Sequence, residues 1–153
     1  MIPYGGYCPV EFGEPVRLKS FATRKSMDYD HSEGRGSRSL HQFDTINHGN
    51  QKWTIEHAGP FGFRIRHYDS GRYLTTGNVG DGGRVFMVVG DFGSVFTFEP
   101  LSDGTVYIHL AGQNQYTMNP EGGGLANGVK LIMWPHGAAD NDKWYVRAHN
   151  DLS

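Results

Sequence analysis

Asn50-Gln51-Lys52-Trp53-Thr54-Ile55 is the stretch that decides the fold. An altered copy stands at Gly93-Ser94-Val95-Phe96-Thr97-Phe98, and another at Asn141-Asp142-Lys143-Trp144-Tyr145-Val146. The bulky aromatic therefore recurs at 53, 96 and 144. A second set of markers keeps the same pace: alternating strands open as Val16-Arg17-Leu18, Phe63-Arg64-Ile65-Arg66 and Val106-Tyr107-Ile108-His109. Met27, Leu74 and Met118 close strands in phase with them. Two-residue alternation predicts strands with one apolar face. Turn residues follow, as in Asp69-Ser70-Gly71 and Ala111-Gly112-Gln113-Asn114. Two independent markers sharing a period of about 45 residues identify an internal threefold repeat.

Three copies of roughly four short strands each predict an all-β chain closed on itself. A propeller needs at least four blades of this size. The expected fold is a β-trefoil, a six-stranded barrel capped by a triangle of hairpins, in one domain with repeats at approximately 14–60, 61–103 and 104–153. Trp53, Phe96 and Trp144 are then core residues, because large rings dominate burial in small β domains. Composition agrees. The 153 residues suffice for one domain, and 37% hydrophobic with 13% aromatic content excludes disorder. The 22 glycines are about twice the usual share of roughly 7% and suit many tight turns.

Several function classes fall away. With 14 Lys+Arg against 16 Asp+Glu, and the Arg35 to Arg38 cluster broken by Gly36 and Ser37, nucleic acid is not an expected partner. No window approaches 18 consecutive apolar residues, so membrane insertion is not expected. Met1 to Gly13 lacks a basic start followed by an apolar stretch, which points to a cytoplasmic protein or one secreted without a signal peptide. Cys8 is the single cysteine, so no disulfide forms within the chain, and without a Cys-His context it reads as an ordinary thiol. The 8 histidines include no His-x-His or His-x-x-x-His pair, so no zinc is expected. Asp28 to Gly34 fails the EF-hand template, having Glu33 at the sixth position and Ser39 at the twelfth, and reads as a surface loop. Asp81-Gly82-Gly83 and Gly122-Gly123-Gly124 lack a strand-to-helix setting and read as hairpin turns rather than phosphate cradles. No Ser-His-Asp or paired-carboxylate arrangement emerges. The expectation is a protein that is not an enzyme and uses no cofactor.

Polar residues in register with the core markers carry the functional signal. Asp28 lies 15 residues before Phe43, which lies 7 before Asn50; Asn119, Trp134 and Asn141 repeat both spacings. Repeat two breaks the pattern, with Gly93 in place of the asparagine. An acceptor, an aromatic plate and an amide suit a sugar, whose vicinal hydroxyls need donors and acceptors and whose C–H patches lie against a ring. Asp28 would accept hydroxyl protons, Asn50 would donate and accept, and Phe43 would be the platform. His41 adds a donor at the rim, and Gln51 holds Asp28 in place. Plainer readings stand beside these: Phe43 and Trp134 as core residues, Asp28 and Asn141 as turn residues, and Asp30 as the sugar ligand in place of Asp28.

Asn50-Gln51-Lys52-Trp53 matches the Gln-x-Trp signature of the ricin-B-like (R-type) lectins, and Asn127 to Trp134 resembles that family's Asn-Gly-…-Leu-Trp strand. The resemblance spans roughly residues 14 to 148. It implies a β-trefoil that binds galactose or N-acetylgalactosamine in shallow sites. The family's acid, stacking aromatic and amide then fall on Asp28, Phe43 and Asn50, and in repeat three on Asn119, Trp134 and Asn141. There are departures. The family's disulfides are absent, Gln-x-Trp is whole only in repeat one, Asp142 replaces the glutamine, and Asn119 replaces the acid. Gln42 stands where the family has an inward-facing aliphatic residue, which leaves the register of that strand open by about one.

The implied partners are glycans on glycoproteins or glycolipids. Each site would bind at roughly millimolar to tens of micromolar, so avidity requires two sites per chain or a homodimer. The rival is a trefoil used as a protein-binding scaffold, a protease inhibitor or a cytoskeletal partner, since fold alone does not choose function. An inhibitor would use long loops such as 28–38 or 119–128. A sugar binder would bring Asp28, Phe43 and Asn50 to one surface pocket.

Overall fold

A computed structural model describes residues 7–10, 13–30, 40–80, 83–137 and 139–153. The Arg35 to Arg38 cluster, most of the Asp28 to Gly34 loop and Asp81-Gly82 lie outside the described residues. The described residues form twelve strands: β1 (Val16–Ser20), β2 (Ser26–Tyr29), β3 (Leu40–Phe43), β4 (Trp53–His57), β5 (Phe63–His67), β6 (Tyr73–Val79), β7 (Val85–Gly90), β8 (Phe96–Pro100), β9 (Val106–Leu110), β10 (Gln113–Pro120), β11 (Leu131–Pro135) and β12 (Lys143–Ala148).

The outer two strands of each repeat build the barrel. Antiparallel pairing runs β1–β4, β4–β5, β5–β8, β8–β9, β9–β12, and β12 back to β1. That ring of six has no free edge, which removes the usual hazard of a small sheet. The inner strands form the hairpins β2–β3, β6–β7 and β10–β11. They meet through β7–β11 pairing and a bridge from His41 to Lys130, making the triangular cap. The fold is the expected β-trefoil.

The repeat markers point inward as their alternation requires. Trp53, Ile55, Phe63, Ile65, Phe96, Phe98, Ile108 and Trp144 are buried in one core with Met27, Leu74 and Met118 from the cap. The indole N–H of Trp53 donates to the carbonyl of Met27 at 3.1 Å, and that of Trp144 to Met118 at 2.9 Å. Each tryptophan thus ties a barrel strand to the cap strand of its own repeat. Phe96 fills the same place in repeat two without a donor.

Two local expectations need adjustment. The turn at Ala111-Gly112 ends sooner than the spacing predicts, because β10 starts at Gln113 and absorbs a bulge before Thr117. Gly112 sits at φ 77°, where only glycine is unstrained. The register of β3 has no slip: Met27 faces Gln42 as Met118 faces Met133. Gln42 is buried in the aliphatic position. Its Nε2 donates to the carbonyls of Gly124 and Ala126 at 2.8 and 2.9 Å, and its Oε1 accepts from Thr23 at 2.9 Å. An amide is tolerated there because the adjoining repeat supplies its partners.

Trp144→Phe should leave the buried carbonyl of Met118 without its donor. We expect a loss of about 1–3 kcal/mol, read as a lower urea midpoint with an unchanged m value. An unchanged midpoint would show that the cap is not held through the indole.

Candidate functional site

In repeat one, β2 carries Asp28 and β3 carries His41 and Phe43, which share a strand face two residues apart. Asp28 and His41 are cross-strand partners, and His41 Nε2 lies 3.3 Å from Asp28 Oδ1. Phe43, at the strand end opposite Ser26, is 36% exposed. Its ring meets that of His41 edge-on with centroids 6.3 Å apart. The turn Gly49–Gln51 then brings in Asn50 and Gln51. His48 caps that turn, its Nδ1 accepting from the Asn50 N–H at 3.1 Å. The Asn50 side chain is half-buried and makes no hydrogen bond among the described residues.

Gln51 is fully buried, and every valence of its amide is used. Nε2 donates to Asp28 Oδ2 at 3.0 Å and to the Asp44 carbonyl at 2.8 Å. Oε1 accepts from the Ile46 N–H at 3.0 Å and from Nη1 of Arg17. Since a carboxylate only accepts, the nitrogen of Gln51 has to face Asp28. Of the two aspartates considered as ligands, Asp28 is the one Gln51 reaches.

Sequence reading missed Arg17. Its guanidinium is buried and donates to the carbonyls of Ile46 at 3.0 Å and His149 at 2.6 Å, besides Gln51. Burial pushes its pKa down from the usual value, offset in part by Asp151. The signal was weak because its partners lie far along the chain. Asn127 is the second omission from the site residues. It brackets the end of β3 from repeat three, its Oδ1 accepting from the Asp44 N–H at 2.9 Å and its Nδ2 donating to Asp44 Oδ2 at 3.1 Å. Hydrogen bonds from Lys25 and Asn127 hold the Asp44 carboxyl below the usual carboxylate range.

Repeat three has the same layout. Asn119 lies on β10, Trp134 on β11 opposite Thr117, and Asn141 in the turn Asp140–Asp142. Trp134 is 39% exposed. Asn119 Nδ2 donates to Asp142 Oδ1 at 3.0 Å. Asp142 Oδ2 accepts longer contacts of 3.4 Å from the N–H groups of Gly137 and Ala139. Ile132 faces Asn119 where His41 faces Asp28, so this site has no rim imidazole. His136 stands on the other side, its Nδ1 3.8 Å from Asp142 Oδ2 and its ring 4.5 Å from that of Tyr107.

In repeat two the corresponding pair is Thr75 and Ser94, joined through their hydroxyls at 3.0 Å. Gly90, opposite Tyr73, takes the plate position. A concavity of about 280 Å³ lies there, lined in part by Arg72, Thr75 and the exposed Phe92.

Other candidate chemistry is not assembled. Cys8 packs against the core and its thiol donates to the Val10 carbonyl at 2.9 Å. Burial pushes its pKa up, away from a reactive thiolate. Among the described residues no group of three His, Cys, Asp or Glu side chains is placed to hold a metal.

Gln51→Ala should strip partners from four groups, Asp28, Arg17, the Ile46 N–H and the Asp44 carbonyl, and cost about 3 kcal/mol or more. Asn50→Ala, removing an amide with no hydrogen-bond partner among the described residues, should change stability by less than about 0.5 kcal/mol. Urea unfolding of the two variants checks the contrast, and equal losses would contradict the assignment of Gln51 as the structural member.

No protein-family model matches the chain, and no curated protein matches it in sequence. Solved structures do. The Macrolepiota procera ricin B-like lectin in complex with lactose is similar at 17% identity and a TM-score of 0.78, over 91% of this chain and 98% of that one. The earthworm R-type lectin C-half in complex with GalNAc is similar at 13% and 0.67, over 88% and 98%. An exo-beta-1,3-galactanase from Clostridium thermocellum is similar at 16% and 0.78, over 93% of this chain but 31% of that one. What the chain shares with all three is the β-trefoil fold, the fold of ricin B-like lectins.

Proposed function

We propose that the protein is a non-catalytic lectin for terminal galactose- or N-acetylgalactosamine-type residues. The sugar is held first by the repeat-one site and second by the repeat-three site. One observation carries the reading: each site sets a carboxylate–amide pair beside an exposed ring, Asp28–Gln51 with Phe43 and Asn119–Asp142 with Trp134. The pair anchors vicinal hydroxyls, and the ring takes the apolar face of the sugar. Asn50 and Asn141 bring amides to the rim, and in site one the His41 ring borders both Asp28 and Phe43. The lactose and GalNAc bound to the two lectins named above are consistent with this sugar class.

Both oxygens of Asp28 already have a protein partner, His41 and Gln51. Each oxygen carries a second lone pair, so a hydroxyl that reaches Asp28, which is only 3% exposed, need displace neither partner. A chain with two such sites can bridge glycans alone, and a homodimer would add to that avidity.

The second reading, a protein-binding scaffold, draws on Phe61 and Phe92, which are 75% and 87% exposed and belong to neither site. A glycan array separates the two. Binding to galactose- or N-acetylgalactosamine-terminated glycans is expected. Asp28→Ala should weaken it by about tenfold or more, and Asp28→Ala with Trp134→Ala should abolish it. Absence of binding to every glycan at high density would overturn the lectin reading in favour of the scaffold.

A further inference from the structure

Sites one and three are the same device with its charge reversed. In both, a cap-strand residue and a turn residue 23 positions later are joined by a 3.0 Å amide-to-carboxylate hydrogen bond. In site one the strand supplies the acid, Asp28, and the turn supplies the amide, Gln51. In site three the strand supplies the amide, Asn119, and the turn supplies the acid, Asp142. A carboxylate cannot donate, so each amide nitrogen is committed to its acid. Beyond this bond the strand residue of site one retains carboxylate lone pairs. The strand residue of site three retains a neutral carbonyl oxygen, beside the second N–H of the Asn119 amide.

The reversal follows what stands behind the turn. Behind Gln51 is the buried guanidinium of Arg17. Only an amide can offer an oxygen to that cation and an N–H to Asp28 at once, its dipole lying between the two charges. A glutamate at 51 would satisfy Arg17 but set two carboxylates against each other. At the matching position of repeat three the chain has Tyr107, buried and neutral, so no cation asks for a carbonyl oxygen. There the acid can sit in the turn, taking the N–H groups of Gly137 and Ala139 with His136 nearby.

We propose that Arg17 and Tyr107 set opposite polarity in two otherwise matching sugar sites, so that site one offers a neutral galactoside a charged acceptor and site three an uncharged one. This rests on the lectin reading above. Arg17 acts as a positioning residue through its bond to Gln51, Tyr107 by leaving the matching place uncharged, and neither touches the ligand. Hydrogen bonds to an ionised acceptor are about twice as strong as neutral ones, so the charge on the strand residue is worth about tenfold in affinity.

Isosteric exchange tests this within one site, where the aromatic plate stays constant. Phe43→Ala isolates site three and Trp134→Ala isolates site one, with lactose titrations followed by NMR and thermal melts alongside. In the Phe43→Ala protein, Asn119→Asp alone should lower the melting temperature and lose lactose, because two carboxylates then face each other. Adding Asp142→Asn should restore the melt and bind lactose about tenfold more tightly than the Phe43→Ala parent. In the Trp134→Ala protein, Asp28→Asn with Gln51→Glu gives Arg17 an ionic partner but takes the donor from the Asp44 carbonyl, and should bind lactose about tenfold more weakly than its parent.

Unchanged affinity in both exchanged proteins, with both parents binding lactose, would overturn the polarity proposal and leave the lectin reading intact. If neither the wild type nor either parent binds any galactoside, the lectin reading falls and the ligand half of the proposal falls with it. A melt of Asn119→Asp with Asp142→Asn no higher than that of Asn119→Asp alone would overturn the reversed pairing itself, whatever binds.

Discussion

The closure of β12 onto β1 is the constraint from which the rest follows. Five consecutive residue pairs, from Val16–Ala148 to Ser20–Trp144, turn an open sheet into a ring with no edge. Closure also brings the segment after β12 over the outer face of β1. All five residues of β1 are therefore buried, including the polar ones that face away from the barrel. Lys19 donates to the Ser153 carbonyl and Arg17 to that of His149. A buried guanidinium must place its N–H groups on oxygens or lose heavily in desolvation. Among the described residues no carboxylate bonds to it, and Arg17 uses carbonyls, the Ser26 hydroxyl and the amide of Gln51. Gln51 thereby acquires a fixed orientation, and Asp28 a fixed donor. Barrel closure, a buried cation, a saturated amide and a positioned acid form one chain of dependence ending at the site surface.

Besides the backbone pairing of β1 with β2, β5 with β6 and β9 with β10, the cap is tied to the barrel by one indole hydrogen bond each from Trp53 and Trp144. The bond from Trp53 ends on Met27, immediately before Asp28, and that from Trp144 ends on Met118, immediately before Asn119. A core ring and a candidate ligand residue are thus attached to neighbouring units of one strand. This explains why core and site markers keep a common period: the same hairpin has to serve both.

That shared period made much of the molecule legible in the sequence. The aromatics at 53, 96 and 144 and the alternating strands at 16, 63 and 106 face inward because burial demands the same residue types in each copy. The 15- and 7-residue spacings translate into cross-strand placement and a following turn, so Asp28, His41, Phe43, Gln51, Asn119 and Trp134 are brought together within their repeats. What stayed hidden depends on long-range contacts or on a change of partner. Arg17 reads from sequence as the polar half of an alternating strand, and only closure with β12 shows that it is buried. Gln42 reads as a possible slip in register until the carbonyls of Gly124 and Ala126 account for its amide. The acid–amide reversal at Asn119 and Asp142 reads as two departures from a pattern, and becomes one exchange only when the hydrogen bond between them is seen.

The Asn127 clamp depends on an intact side-chain amide. Its two hydrogen bonds to Asp44 span the boundary between repeats three and one and fix the chain just past Phe43. Asn127 is followed by Gly128, at a φ of 88° that only glycine adopts without strain, and the Gly128 N–H is held by the Gln42 carbonyl at 2.8 Å. Asparagine before glycine is the pairing most prone to lose its amide, through attack by the next backbone nitrogen on the side chain. Hydrolysis there would replace the Nδ2 donor with a carboxylate facing that of Asp44, turning attraction into repulsion. The join between two repeats would then loosen beside the aromatic plate of site one, while site three and the barrel kept every contact they have. Old protein would differ from new at one site and one seam.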